Sequence, residues 1–309
     1  MSQKKQTWYE ARVCVPDAQA EDAAVWLVDS GLGGVQTIAH ENAQTELVIA
    51  CETSFCLLGD LAPFIANTLL ELNIRLSQNE IVVTQESHDD WAHAWKAFFK
   101  PLQLSTRLWV VPSWEPTPLL PEGAQTIVIN PGMAFGTGQH ATTALCVQAL
   151  ERYLSSDPDV SEKTLLDLGC GTGLLAIAGL KMGISEAWAI DNDPDATRNA
   201  RENVLLNHVS DRMIVSDENF EQCPRVFDVI VANILAHTLI EMSAEVVAHV
   251  AADGIIILSG ILESQAQDVV DCYLKALTQE HTTPWVHAQT LQEGEWVALV
   301  FKTTDSVLG

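Results

Sequence analysis

The sequence predicts an α/β protein, a mostly parallel sheet finished by an antiparallel hairpin and preceded by a small α+β unit. Three observations carry this. Past residue 164, short apolar runs without polar alternation recur between helical segments, as strands buried on both faces of a parallel sheet do. The first of these runs, Leu165–Leu168, leads straight into the glycine-rich turn Gly169-Cys-Gly-Thr-Gly173 and then a helix. The opening 86 residues alternate strand and helix patterns in the order β-α-β-β-α-β, which is ferredoxin-like.

In that opening unit, strands are expected at Trp8–Val15, Val35–His40, Thr45–Cys51 and Ile81–Glu86, and helices at Ala18–Ser30 and Asp60–Leu72. Pro16-Asp17 opens the first helix and the run from Gly31 to Gly34 closes it. Residues 1–87 carry no catalytic motif, so a recognition or scaffold role is expected of them. Residues 88–104 read as a helical connector whose helix Pro101 ends. His88 and His93 within it are five apart, which does not place both on one helix face, so they are not read as metal ligands.

Residues 105–309 form the second domain. Strands are expected at Arg107–Pro112, Thr126–Asn130, Leu165–Leu168, Ala187–Asp191, Met213–Val215, Val226–Ala232 and Gly254–Ser259. Trp285–Leu291 and Trp296–Lys302 flank a Gln-Glu-Gly-Glu turn and read as the hairpin.

Composition narrows the function. The chain has 309 residues, 48% of them hydrophobic and 18% charged, enough for two packed cores. Neither a membrane span nor a signal-peptide stretch is visible, so a cytoplasmic protein is expected. The seven cysteines are scattered through apolar segments and read as small buried residues. The net charge of −25 opposes direct binding to a phosphate backbone. It fits attraction of a basic partner, and equally fits solubility or a saline cell interior.

The chemistry starts at the glycine turn, where backbone approaches a ligand closely and the following helix offers free N–H groups. A dinucleotide fingerprint would place a third glycine at position 174, which is leucine, and this disfavours an NAD-dependent dehydrogenase. Asp167 just before the turn would face a pyrophosphate unfavourably. It suits a cofactor that has no phosphate and carries an ammonium group, and S-adenosylmethionine is one. Asp191 ends the next strand, where nucleotide-binding sheets place a carboxylate for ribose hydroxyls. Asp193, before Pro194, reads as a helix cap. Asp217 reaches the adenine edge or is a loop residue. Asn233, at the C-terminal end of its strand, orients an amine through its carbonyl oxygen or caps the helix from Ile234 onward. In the loop from Gly132 to His140, His140 is a proton acceptor by type or a structural residue, and Thr142 or Thr143 caps or begins the next helix.

Four segments resemble, in order, those of the PrmA family, whose members methylate the eleventh protein of the large ribosomal subunit. They are Phe135-Gly-Thr-Gly-Gln-His-Ala-Thr-Thr143, Asp167-Leu-Gly-Cys-Gly-Thr-Gly173, Ala189-Ile-Asp191 and Ala232-Asn-Ile-Leu-Ala236. Asp90-Trp, Trp95-Lys and Arg107-Leu-Trp-Val-Val-Pro-Ser-Trp114 extend the similarity over nearly the whole chain. Gln139 and Ala141 stand where many members carry threonine and proline. The resemblance implies a class I, Rossmann-like methyltransferase domain with a seven-stranded sheet, joined by a helical linker to a small substrate-recognition domain. Cofactor contacts are implied at Thr143, Gly169, Asp191 and Asn233, with Asp167, Gly171, Gly173 and Asp217 around them. Asn233 is the expected amine-orienting residue. A free basic ribosomal protein is the implied substrate and a monomer the expected state. The rival readings are a related methyltransferase with another protein or small-molecule substrate, and a non-catalytic binding module of the same fold.

Overall fold

The computed structural model describes residues 7–29, 32, 34–40, 43–52, 58–70, 72–87, 99–130, 136–155, 157–217, 220 and 225–304. Two compact units divide the chain, Met1–Phe99 and Lys100–Gly309. The expected connector helix, with His88 and His93, lies outside the described residues.

The first unit contains β1 (Thr7–Pro16), α1 (Ala20–Asp29), β2 (Gly34–Ala39), β3 (Gln44–Glu52), α2 (Leu58–Leu70) and β4 (Val82–Ser87). Its strands lie in the order β2-β3-β1-β4, each antiparallel to its neighbour, which is the ferredoxin-like arrangement. Side chains alternate across β1, so Tyr9, Ala11, Val13 and Val15 enter the core. There they join Leu47 and Ile49 of β3 and Leu61, Ile65 and Leu69, the i, i+4, i+8 stripe of α2. Each fully buried leucine or isoleucine contributes roughly 1.5–3 kcal/mol. Cys14 belongs to the opposite face of β1 and is exposed, contrary to the expectation of buried cysteines, whereas Cys51, Cys146 and Cys170 are buried. Cys56 and Cys223 lie outside the described residues. The first helix starts later than expected: Asp17–Gln19 form a 3₁₀ turn, with the Asp17 carboxylate held by the Thr45 hydroxyl at 2.7 Å.

The second unit opens with a three-stranded sheet, β5 (Leu102–Gln103), β6 (Leu108–Pro112) and β7 (Gln125–Ile129), in which β6 and β7 are parallel. β5 falls inside the stretch expected as a connector, yet it pairs with β6, and Leu104 after it is buried. Then follow α3 (Ala141–Leu154), β8 (Thr164–Leu168), α4 (Leu174–Lys181), β9 (Glu186–Ile190), α5 (Pro194–Leu206), β10 (Met213–Ser216) and β11 (Phe227–Asn233). The chain continues through α6 (Ala236–Glu241), α7 (Ser243–Ala248), β12 (Val250–Leu262), α8 (Ala266–Glu280), β13 (Trp285–Glu293) and β14 (Trp296–Thr303).

The main sheet has the order β10-β9-β8-β11-β12-β14-β13. Pairing is parallel as far as β12, and β14 inserts antiparallel between β12 and β13. This is the seven-stranded class I methyltransferase sheet that the resemblance implied. Alternate residues feed two cores. Leu165, Val229, Val231 and Ile257 pack with α3, α4 and the small sheet, while Leu166, Leu168, Ile230 and Leu258 pack with α6, α7 and α8. α4 is apolar on every side and buried from Leu174 to Leu180, as a helix enclosed between layers must be. No helix among the described residues is long and apolar enough to cross a membrane.

Candidate active site

The turn after β8 depends on backbone that only glycine adopts without strain: Gly169, Gly171 and Gly173 have φ of 70°, 51° and 75°. A side chain at Gly169 would also collide with the Ile234 side chain. The Gly169 and Cys170 N–H groups donate to the Ile190 carbonyl at 2.9 and 3.1 Å, fastening the turn to the end of β9. Asp191, the next residue, completes the grip. Its Oδ2 accepts from Gly171 N–H at 2.8 Å and its Oδ1 from Asp193 N–H at 3.0 Å. Asp193 caps α5 through the Asp195 N–H, with Pro194 in the first turn, as the sequence predicts.

Gly173 has no side chain with which to cap α4, and Asp167 takes over that task from β8. Its Oδ2 accepts from Ala176 N–H at 3.0 Å. The residue is buried, and Oδ1 has no partner among the described residues. Burial pushes the carboxyl up to about 8, the Ala176 N–H opposes this, and the neighbouring Asp191 charge adds to it. The folded protein holds a proton here that the unfolded chain releases near pH 4, so this group destabilises the fold progressively from about pH 4 to about pH 8. Asp167→Asn is therefore expected to raise stability above pH 8, by at most roughly 6 kcal/mol, with the gain shrinking towards pH 4. Urea unfolding of both proteins at several pH values measures it, and a pH-independent difference would contradict the assignment.

β11 brings Asn233 to the same edge of the sheet. The alternative of a helix cap does not apply, because α6 begins at Ala236 with Leu235 as its cap residue. The Asn233 side chain is buried instead; Nδ2 donates to the Thr143 hydroxyl at 3.3 Å, and Oδ1 has no partner among the described residues. Ile234 N–H donates to the Ser259 carbonyl at 3.2 Å, holding this strand end to β12. Thr143 is fully buried in the first turn of α3, and the cap of that helix is His140 rather than either threonine. His140 Nδ1 accepts from Thr142 N–H at 3.3 Å, so the ring is used structurally.

A small cleft is lined by Gly136, Thr143, Gly169, Cys170, Leu174, Leu175 and Asn233. Of the expected site residues, Thr143, Gly169 and Asn233 thus share one cavity; Asp191 and Gly171 are joined to it through the turn, and Asp167 lies beneath. Asp217 stands apart. It follows β10 on the exposed side, 4.0 Å from Arg201. Three further residues carry no recognisable motif, Asn199 and Asn203 on α5 and Asn207 at its C-cap, whose amides bond to Val128 of β7, to Asn130 just after it and to the turn. Their signal was the i, i+4 spacing of identical polar residues.

A family model described as Ribosomal protein L11 methyltransferase (PrmA) matches residues 7–304. The chain belongs to that family. The ribosomal protein L11 methyltransferase of Trichlorobacter lovleyi is 37% identical over 313 residues, covering 96% of this chain and 98% of that one. The corresponding protein of Ruminiclostridium cellulolyticum is 32% identical over 332 residues, covering 97% and 99%. Among solved structures, the ribosomal protein L11 methylase from Lactobacillus delbrueckii subsp. bulgaricus aligns at a TM-score of 0.57 with 28% identity, covering 67% of this chain and 98% of that one. Three of the segments by which the sequence resembles PrmA, 135–143, 167–173 and 232–236, line the cleft.

Proposed function

We propose that this chain transfers methyl groups from S-adenosylmethionine to lysine ε-amines and the N-terminal α-amine of ribosomal protein L11. The observation that carries the reading is Asn233 Oδ1, a buried acceptor without a partner among the described residues, set beside the glycine turn in a chain of a methyltransferase family. The residues fit the donor molecule. Asp191 spends two of roughly four lone-pair sites on Gly171 and Asp193, which leaves two for a ribose diol. Asp167 Oδ1 matches an ammonium group, whose charge would offset the burial that holds the carboxyl protonated. Gly169 allows close approach of the ligand to the backbone, Gly171 and Gly173 shape the turn, and Thr143 fixes the Asn233 amide. Asp217 is given no role.

When bound, S-adenosylmethionine supplies an electrophilic sulfonium methyl group. Asn233 Oδ1 accepts a hydrogen bond from the substrate amine and so directs its lone pair along the line of attack. Because a free lysine has a pKa of ~10.4, the amine must be desolvated to react neutral, and the apolar wall of Leu174 and Leu175 serves that end. The bound donor would supply the methyl group and take up the electron pair of the bond that breaks, while Asn233 would hold the amine in place and the methylated ammonium would release its proton to solvent.

Residues 1–87 are assigned to substrate recognition, residues 88–104 to the link, and 105–309 to catalysis by a cytoplasmic monomer. The net charge of −25 draws a basic protein and repels assembled ribosomal RNA, so free L11 is the expected substrate. Incubation of free L11 with the chain and S-adenosylmethionine should add successive methyl masses, read by mass spectrometry. Absence of cofactor binding in calorimetry would refute the enzyme reading. Methylation of a different protein, with L11 unchanged, would move the substrate and leave the chemistry.

A further inference from the structure

The asparagines of α5 and its C-cap do more than pack. Asn203 Oδ1 accepts from Asn130 N–H at 2.7 Å, and its Nδ2 donates to the Thr172 carbonyl at 2.9 Å and to the Asn130 carbonyl at 3.3 Å. Asn207 closes both backbone groups of Val128, accepting from its N–H at 2.9 Å and donating to its carbonyl at 2.6 Å. Asn199 adds a bond to the Asn130 carbonyl at 3.0 Å. Side-chain amides thus take the place of a neighbouring strand at Val128 of β7 and at Asn130 just beyond its end. Thr172, at the centre of the glycine turn, is fully buried, and its hydroxyl donates to the Gly136 carbonyl at 2.6 Å. Gly136 is a wall of the cleft.

We propose that Asn203 and Thr172 are positioning residues for the cofactor cleft, a relay that holds the glycine turn and the Gly136 wall at one fixed separation. The relay rests on the reading that this cleft takes S-adenosylmethionine. Both residues touch the ligand's walls and not the ligand. Thr172 has its carbonyl engaged by α5 and its hydroxyl by Gly136, so it transmits the position of the asparagine ladder to the cleft. Asn203 is nearly isosteric with aspartate, which keeps the acceptor for Asn130 N–H and loses the donor for Thr172.

The test compares Thr172→Val, Thr172→Ser, Asn203→Asp and the double variant Thr172→Val/Asn203→Asp. The readouts are the Kd for S-adenosylhomocysteine by calorimetry and the melting midpoint of the unliganded protein. Thr172→Val is expected to weaken binding about tenfold, the effect of one hydrogen bond, and Asn203→Asp at least as much. Thr172→Ser, which keeps the hydroxyl, should stay within about twofold. Because the two residues act in series, the double variant should be little worse than the more affected single variant. Additive losses, or a lowered midpoint with an unchanged Kd, would reduce the relay to a structural contact. If Asn203→Asp does not fold, the Thr172 pair decides alone. A wild-type chain that fails to bind S-adenosylhomocysteine refutes the proposed function itself, whereas normal wild-type binding with a normal Thr172→Val refutes only the relay.

Discussion

Asp191→Ala is expected to weaken S-adenosylmethionine binding by about a hundredfold or more while leaving the fold intact. The carboxylate works twice. It holds Gly171 N–H at 2.8 Å, keeping the turn in its left-handed conformation, and in the proposed complex it takes the ribose hydroxyls. Hydrogen bonds to a charged acceptor are worth about 1.5–3 kcal/mol each, so losing two on the ribose side alone reaches two orders of magnitude in Kd. Asp191→Asn should recover little, because its amide NH₂ would face one of the two backbone donors. Since Asp191 is half-buried at the mouth of the turn, circular dichroism should show an unchanged fold in both variants. Calorimetric titration measures the loss, and wild-type affinity in Asp191→Ala would remove Asp191 from the site.

Gly260→Ala is expected to be the most damaging single change to the protein, although it touches no ligand. Gly260 has φ of 81°, and an added Cβ would overlap the Ile234 carbonyl oxygen and lie 2.9 and 3.1 Å from its carbonyl carbon and nitrogen. These are backbone atoms, which cannot swing aside as a side-chain tip can. The strained φ and the overlap together should lower stability by roughly 3 kcal/mol or more. Ile234 follows Asn233 directly, so what survives folding should also carry a displaced amide and methylate slowly. Thermal unfolding and single-turnover rates check both halves. A variant with the wild-type melting midpoint and rate would show that β12 does not support the site.

Much of this was legible in the sequence because the relevant forces are local. The strands of the main sheet are continuous apolar runs, and their observed bounds mostly differ by only a residue or two from those expected. β12 is the exception. It starts at Val250, four residues before the apolar run at Gly254, because Phe227 pairs with Val250 ahead of a register shift and draws in Ala251, Ala252 and Asp253, which carry no strand pattern. The small sheet was harder to foresee: β5 is two residues long, and β6 finds β7 across a proline-rich loop, so neither pairing is encoded locally. Within the site, residues on the glycine turn and at strand ends declare themselves by type and spacing. The His140 cap does not, since histidine is not a usual capping residue, and neither does Asn203, whose partners lie 31 and 73 residues away.

The pairing of α5 with β7 works as a vernier. Four residues of helix advance about 6.0 Å and two residues of parallel strand about 6.6 Å, so the step from Asn207 to Asn203 falls about 0.6 Å short of the step from Val128 to Asn130. That mismatch is within the tolerance of a hydrogen bond for one step, and Asn199, one turn further back, meets the Asn130 carbonyl again rather than a new residue. Such a helix can therefore stand in for a strand only over a short length. The ladder here spans only Val128, within β7, and Asn130, one residue beyond its end, and the Asn130 rung is the one that reaches the glycine turn.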